Sequence, residues 1–174
     1  MDILKIIKER RSTRKFQKKE IPEEIIEKLI EALIWAPSAG NLQSRKFYFV
    51  FNQGIKEKLV EAAFGQDFIA QAPLVIVGCI DKEKVDYYGE RGKSLYSICD
   101  VSVSIQNLML VAYEEGLGSV WVGKFDDDKI SKILNLPDNL RPIAIIPVGY
   151  PAEKPEAPPR VSKKEAIEFI KYPR

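Results

Sequence analysis

The chain has 174 residues, of which 27 are Lys or Arg and 25 are Asp or Glu, giving a formal net charge of +2 with 45% apolar residues. That length and balance describe one globular domain, residues 1–174, with a real core. There is no histidine, which excludes Ser-His-Asp triads and every histidine metal site.

Met1-Asp2-Ile3-Leu4-Lys5 has no basic region followed by an apolar one, so a cytoplasmic protein is expected. No apolar run is long enough to span a bilayer, and no membrane role is expected. The two cysteines are Cys79 and Cys99. Cys79 lies in an apolar run and reads as a small buried hydrophobe. A reducing compartment argues against a disulfide.

In chain order, Asp2 to Glu9 reads as a short helix on Ile3, Leu4, Ile6 and Ile7. From Lys5 to Lys19 there are eight basic residues and one acid, so this stretch carries +7 and the remainder −5. Its centre is Arg10-Arg11-Ser12-Thr13-Arg14. Arginine forks suit bidentate phosphate binding and Ser12 adds a hydroxyl. A solvated basic face is the alternative at this point.

Pro22 opens a second helix with apolar positions from Ile25 to Ile34, and Pro37 marks its end. Pro37 to Ser44 is a turn-rich loop. Its Asn41 and Gln43 amides suit a heterocycle edge, although an ordinary loop looks the same locally. Lys46–Phe51 reads as a strand, Gly54–Ala63 as a helix, and Gly65–Gln71 as a short turn.

Leu74–Ile80 is a near-continuous apolar run and reads as a central strand buried on both faces. Asp81–Lys93 is polar and is expected to be a mobile surface segment. Ser94–Glu115 is the longest helix expected, apolar nearly all round from Ile98 to Tyr113. That 16-residue stretch is about 24 Å long and too short for a bilayer. Gly116 suits its C-cap.

Leu117–Phe125 reads as a strand and Asp126–Leu134 as a helix. Ile143–Pro151 reads as another strand, with Pro147 implying a bulge or an edge position. A proline-rich tail leads to Arg160, and Glu165–Ile170 is a helical remnant. Strands separated by helices make the fold class α+β or α/β.

Three motifs recur in a telling order: Arg-Arg-Ser-x-Arg-x-Phe at the start, Ala-Pro-Ser-x-x-Asn-x-Gln about 25 residues later, and Gly-Leu-Gly-Ser-x-Trp-x-Gly after the long helix. Together they resemble the flavin-dependent nitroreductase family over essentially the whole chain. The resemblance implies an α+β fold: a mixed, mainly antiparallel β-sheet flanked by helices, in an intertwined homodimer with FMN at the interface.

It further implies that Arg10, Ser12 and Arg14 hold the FMN phosphate and ribityl chain, with Arg11 beside them and Arg160 returning to the same phosphate. Ser38, Ala39, Asn41 and Gln43 would reach the flavin from the partner subunit. Gln66 would meet the pyrimidine edge. Trp121, Val122 and Gly123 would pass near N5. The implied activity is hydride transfer from NAD(P)H through FMN to a nitroaromatic, quinone or enone acceptor by ping-pong kinetics. No catalytic side chain and no metal are implied, since the flavin carries the chemistry.

The chain departs from longer members of that family in having no long insertion before the central helix and no extended C-terminal arm. The alternative within the same fold is a non-catalytic flavin carrier or sensor. Nucleic-acid binding by the basic stretch is not expected, because Phe16 is the only interleaved aromatic. On local grounds alone Trp35 and Trp121 read as core aromatics.

Overall fold

A computed structural model describes residues 2–170. Its framework is an antiparallel sheet of β1 (Arg45–Val50), β2 (Leu74–Asp81), β3 (Gly118–Ser119) and β4 (Leu140–Gly149), in the order β1-β2-β4-β3. The ladders are antiparallel throughout, and the one parallel pairing among the described residues is a single bridge from Ser12 to Ser119.

The apolar run of β2 is explained by what covers it. Leu74 through Ile80 are all buried. Strand side chains alternate between faces. Val75, Val77 and Cys79 join Leu59, Ile69 and Ile130 on one side, from α3 (Gln53–Ala62), α4 (Phe68–Gln71) and α7 (Asp127–Ile133). Leu74, Ile76 and Ile80 join Leu29, Leu33, Ile105 and Leu108 on the other, from α2 (Glu23–Ile34) and α6 (Ser97–Glu114). The helix starts are capped locally: Asp2, Asn52 and Asp126 accept from Leu4, Ile55 and Lys129 backbone N–H groups. The first of these belongs to α1 (Ile3–Glu9).

The strand expected over Leu117–Phe125 is cut to two residues plus a bridge from Val122 to Ile145. The register explains it. Gly118 faces Gly149 and Ser119 faces Val148, and the bridge resumes the same register. Val120 therefore stands opposite Pro147. Val122 and Ile145 exchange both backbone bonds at 2.9 and 3.0 Å, so the next bonded pair would be Val120 and Pro147. Proline has no N–H to give. Pro147 marks neither an edge of β4 nor its bulge; the register shift in β4 lies across from Gly78 and Cys79.

The segment expected to be mobile, Asp81–Lys93, is largely helical. Short turns over Asp86–Tyr96, including α5 (Gly89–Arg91) and a π-helical stretch at Gly92–Tyr96, run into α6. Val85 is fully buried, Lys93 pairs with Asp86 at 2.7 Å, and Tyr88 stacks edge-on between Tyr87 and Tyr96. The resulting helical run, Asp86–Glu114, is 29 residues and is long and apolar enough by length and composition to cross a membrane. The core helix of a globular protein passes the same test, and α6 packs Val101, Ile105, Leu108 and Ala112 into the core.

Within one chain only one face of α6 is buried in the core, so the burial expected of an apolar circumference is met on that side and leaves the other for contact with another subunit. Leu95, Cys99, Val103 and Gln106 are exposed along the other. The two acids at its C-terminal end, unfavourable for the dipole, are offset at Glu115 by Lys28, 2.7 Å away. The tail forms a short helix, α8, at Lys163–Ala166, earlier than expected, because Ser162 caps it and Ile167 is extended. Val161, Ile167, Phe169 and Ile170 are exposed on this tail. The expected remnant Glu165–Ile170 therefore holds only two helical residues.

Candidate functional site

The basic stretch runs as an extended segment along the open side of β3. Thr13 N–H donates to the Ser119 carbonyl at 3.0 Å, Gln17 N–H to Tyr150 at 2.9 Å, and Ala152 N–H to Lys15 at 2.8 Å. Thr13 is only 3% exposed. A Cβ on Gly118 would fall 2.5 Å from its Oγ1, so glycine is what lets this segment lie flat on the sheet. Successive side chains of an extended backbone alternate, which puts Ser12 and Arg14 on the face opposite Thr13, while Arg10, which closes α1, lines a cleft together with Arg11 and Thr13.

Cationic charge is concentrated around Arg10, on a cleft that also carries Glu9, Glu153 and Glu156. Arg10 is half-buried, and its Nη1 is buried with no hydrogen-bond partner among the described residues. Burial first, then the charges of Arg11 and Arg160, lower its pKa. Arg160 thus comes back from the tail to the start of the chain. Arg11 donates to the Lys8 and Arg10 carbonyls. Arg160 donates to Pro158 and Pro159. An orphaned guanidinium nitrogen within electrostatic reach of two other cations fits an anion such as a phosphate.

Arg14 links this cluster to the ring-binding candidates. Its backbone N–H donates to Glu153 at 2.7 Å, and its guanidinium lies 5.9 Å from the centre of the Phe68 ring. Gln66, on the same turn as Phe68, donates its amide N–H to the Ala63 and Lys124 carbonyls at 3.0 and 3.1 Å. That fixes the amide and leaves its oxygen as the acceptor end. Gly123 adjoins Lys124. Val122 is buried, with both backbone groups committed to Ile145, so Gly123 is the better backbone contact. Trp121 is 38% exposed and Trp35 is 79% exposed. Neither is the core aromatic expected on local grounds, since β3 ends before Trp121 and α2 ends before Trp35.

The loop Ser38–Gln43 is elsewhere. It packs on Asp100, Tyr88 and Lys84 near the start of α6. Arg45 anchors its base, donating to the Ile34, Ala36 and Pro37 carbonyls at 2.8, 2.7 and 3.0 Å. The arginine cluster lies at the other end of α6, where Tyr113 donates to Glu9 at 3.2 Å. Asp100 and Tyr113 are about 20 Å apart along the helix. Within one chain the loop and the arginine cluster therefore stand at opposite ends of α6.

A cleft of about 780 Å³ opens beside Arg10 and Arg11, walled by Tyr113, Ser119, Glu153 and Pro155. It takes in neither Arg14, Gln66, Trp121 nor Gly123, and its walls include several carboxylates. Phe68, Lys124, Glu153, Asp100 and Arg45 were not singled out from sequence. Asp100 alone left a signal, as an acid inside an otherwise apolar helix.

Residues 7–66 and 60–150 match the Nitroreductase family. The chain belongs to the nitroreductase family. A nitroreductase family protein from Clostridium difficile 630 is 37% identical, with a TM-score of 0.85 over 97% of this chain and 98% of that one. The NADPH:FMN oxidoreductase from Vibrio harveyi, solved with NAD+, superposes with a TM-score of 0.91 at 25% identity, over 100% of this chain and 79% of that one. A Methanothermobacter thermautotrophicus protein provisionally named NADH dehydrogenase/NAD(P)H nitroreductase is 35% identical over 159 residues, 89% of this chain and 80% of its own. The nitroreductase match ends before Arg160, so the place of that residue in the cluster rests on its charge coupling to Arg10.

Proposed function

We propose that the chain is a single FMN-binding domain of a homodimeric NAD(P)H oxidoreductase. It passes a hydride to a small organic acceptor of nitroaromatic, quinone or enone type, in a ping-pong cycle. The observation that carries this reading is Arg10, whose buried Nη1 lacks a partner beside Arg11 and Arg160. Three guanidinium groups held together call for a multiply charged anion, and the FMN phosphate supplies one.

Bound flavin supplies the hydride chemistry, and the protein binds, orients and tunes it. Arg10, Arg11, Ser12, Arg14 and Arg160 hold the phosphate end. The Gln66 carbonyl oxygen accepts from the pyrimidine edge, and the Gly123 N–H stands near the reactive edge beside Trp121 and Val122. The Ser38–Gln43 loop acts through Asn41, Gln43 and the Ser38 O–H, since the Ala39 N–H is committed to Asp100 whereas the Ser38 hydroxyl accepts from the Gln43 N–H and keeps its own hydrogen to donate.

Separation of the half-sites along α6 supports a dimer, in which each loop serves the neighbouring subunit's flavin. The exposed stripe Leu95, Cys99 and Val103 and the exposed tail supply apolar surface for that contact. The test is the visible spectrum of the purified protein, followed by NADH and NADPH without oxygen. A yellow protein that bleaches supports the reading, and parallel double-reciprocal lines support ping-pong. A colourless protein that takes up no added FMN overturns it.

A further inference from the structure

Asp100 is 3% exposed in the first turn of α6. Its Oδ1 accepts from the Ala39 N–H at 2.9 Å, and its Oδ2 accepts from the Ser44 hydroxyl at 2.7 Å and the Ser44 N–H at 3.3 Å. One carboxylate therefore brackets the loop at both ends, and Asn41 and Gln43 lie between the brackets. An ionised carboxylate offers only acceptors, and all three groups facing it are donors.

The bracketed loop is strained. Gly40, Asn41 and Gln43 have φ of 55°, 56° and 52°. Left-handed backbone at non-glycine residues persists only where its surroundings over-determine it. The loop's own bonds are few: Asn41 N–H to the Ser38 carbonyl, Leu42 N–H to Ala39, and Gln43 N–H to the Ser38 hydroxyl, each at 3.0 Å. These close the turn but do not fix it to the body. Arg45 holds the base of the loop and Lys84 reaches the Gln43 carbonyl, Tyr88 lies against Gly40, and Asp100 is the one side chain that grips both ends, at Ala39 and Ser44.

We infer that Asp100 is a positioning residue for flavin binding: it fastens the Ala39–Ser44 loop to α6, so that the loop reaches the neighbouring flavin in one shape. This rests on the proposed FMN site. Its consequence is specific to the ring half of that site. The loop would face the isoalloxazine, whereas Arg10 and Arg160 face the phosphate. Riboflavin has the ring and no phosphate, so it separates the two.

The experiment compares wild type, Asp100→Asn, Ser44→Ala and Arg160→Ala, each stripped of flavin and titrated with FMN and with riboflavin. Melting temperatures are recorded alongside. Asparagine keeps the size of the side chain but turns an amide N–H toward a donor. A loop that holds its competent shape one time in ten weakens binding about tenfold. Asp100→Asn is expected to weaken FMN and riboflavin by the same factor, about tenfold, and Ser44→Ala to weaken both by less. Arg160→Ala is expected to weaken FMN and leave riboflavin unchanged.

If Asp100→Asn does not fold, Ser44→Ala decides, since it removes one of the three bonds and leaves α6 intact. Wild-type protein that binds neither flavin overturns the functional reading and this inference with it. Wild-type binding of both flavins, matched by Asp100→Asn and Ser44→Ala, overturns this inference alone. A lower melting temperature with unchanged dissociation constants in the folded range makes Asp100 a folding residue only, and overturns it equally.

Discussion

The charge of Arg160, near the end of the described chain, lowers the pKa of Arg10 near its beginning. Two like charges are thus brought together by the fold, and one of them is a half-buried guanidinium whose Nη1 has no hydrogen-bond partner among the described residues. Apo-protein carries this as a cost, and a bound anion relieves it.

Arg10→Met is therefore expected to act in opposite directions on stability and on binding. The lost charge-assisted contact weakens FMN binding by about 1.5–3 kcal/mol, or roughly 10- to 150-fold. The flavin-free protein melts at the same temperature or higher, because an unpaired, partly desolvated charge has gone. Calorimetry of apo-protein and a fluorescence titration with FMN check both halves. A lower apo melting temperature with unchanged FMN affinity would sink the assignment.

Gly118→Ala tests the seat of the basic segment. The new Cβ would lie 2.5 Å from Thr13 Oγ1 and 2.7 Å from Thr13 Cβ. Overpacking of this kind costs about 1–3 kcal/mol. Thr13→Ala gives no rescue, because its Cβ remains. Urea denaturation should show the loss in both the single and double variants, and FMN affinity should fall as Arg10 and Arg14 shift off the sheet.

Pro147→Val gives β4 the donor it lacks opposite Val120. The expected gain is one backbone hydrogen bond, about 0.5–1.5 kcal/mol, provided the residue keeps its extended backbone. Hydrogen exchange should show a protected amide at position 147, and β3 should extend to meet Val122. An amide there that exchanges as fast as a loop's would refute the register argument.

Burial pushes the Cys79 thiol up from 9.0 to about 12. Its folded pKa lies above its unfolded one, so the contribution is complete below about pH 9 and is lost as pH rises toward about 12. Wild-type stability should fall more steeply across that window than that of Cys79→Ala. At pH 8 an alkylating reagent should spare the buried Cys79 in the folded protein and modify it after denaturation in urea; labelling of Cys79 at the same rate in both states would count against this.

Local signals were enough for most elements. The β2 run, the helical spacing of Leu29 and Leu33, and the caps at Asn52 and Asp126 all act within a few residues, so neighbours in sequence announce them. The strand after α6 was over-extended because nothing near Val120 reveals that Pro147 will stand opposite. Asp81–Lys93 looked mobile from its polarity, yet Val85 is buried and Asp86 pairs with Lys93. The faces of α6 were likewise invisible, since an apolar circumference does not say which side meets the sheet.

The ingredients of the candidate site are legible in residue types alone: a dense arginine cluster, an amide-rich loop, no histidine, and motifs in family order. Their arrangement comes from the fold. It brought Arg160 to Arg10, set Arg14 over Phe68, tied Gln66 to Lys124 and clamped the loop on Asp100 at the far end of α6. Residue types record which bonds a side chain can make. Which partner stands within reach depends on strand register and helix length, and those contacts are closed across most of the chain.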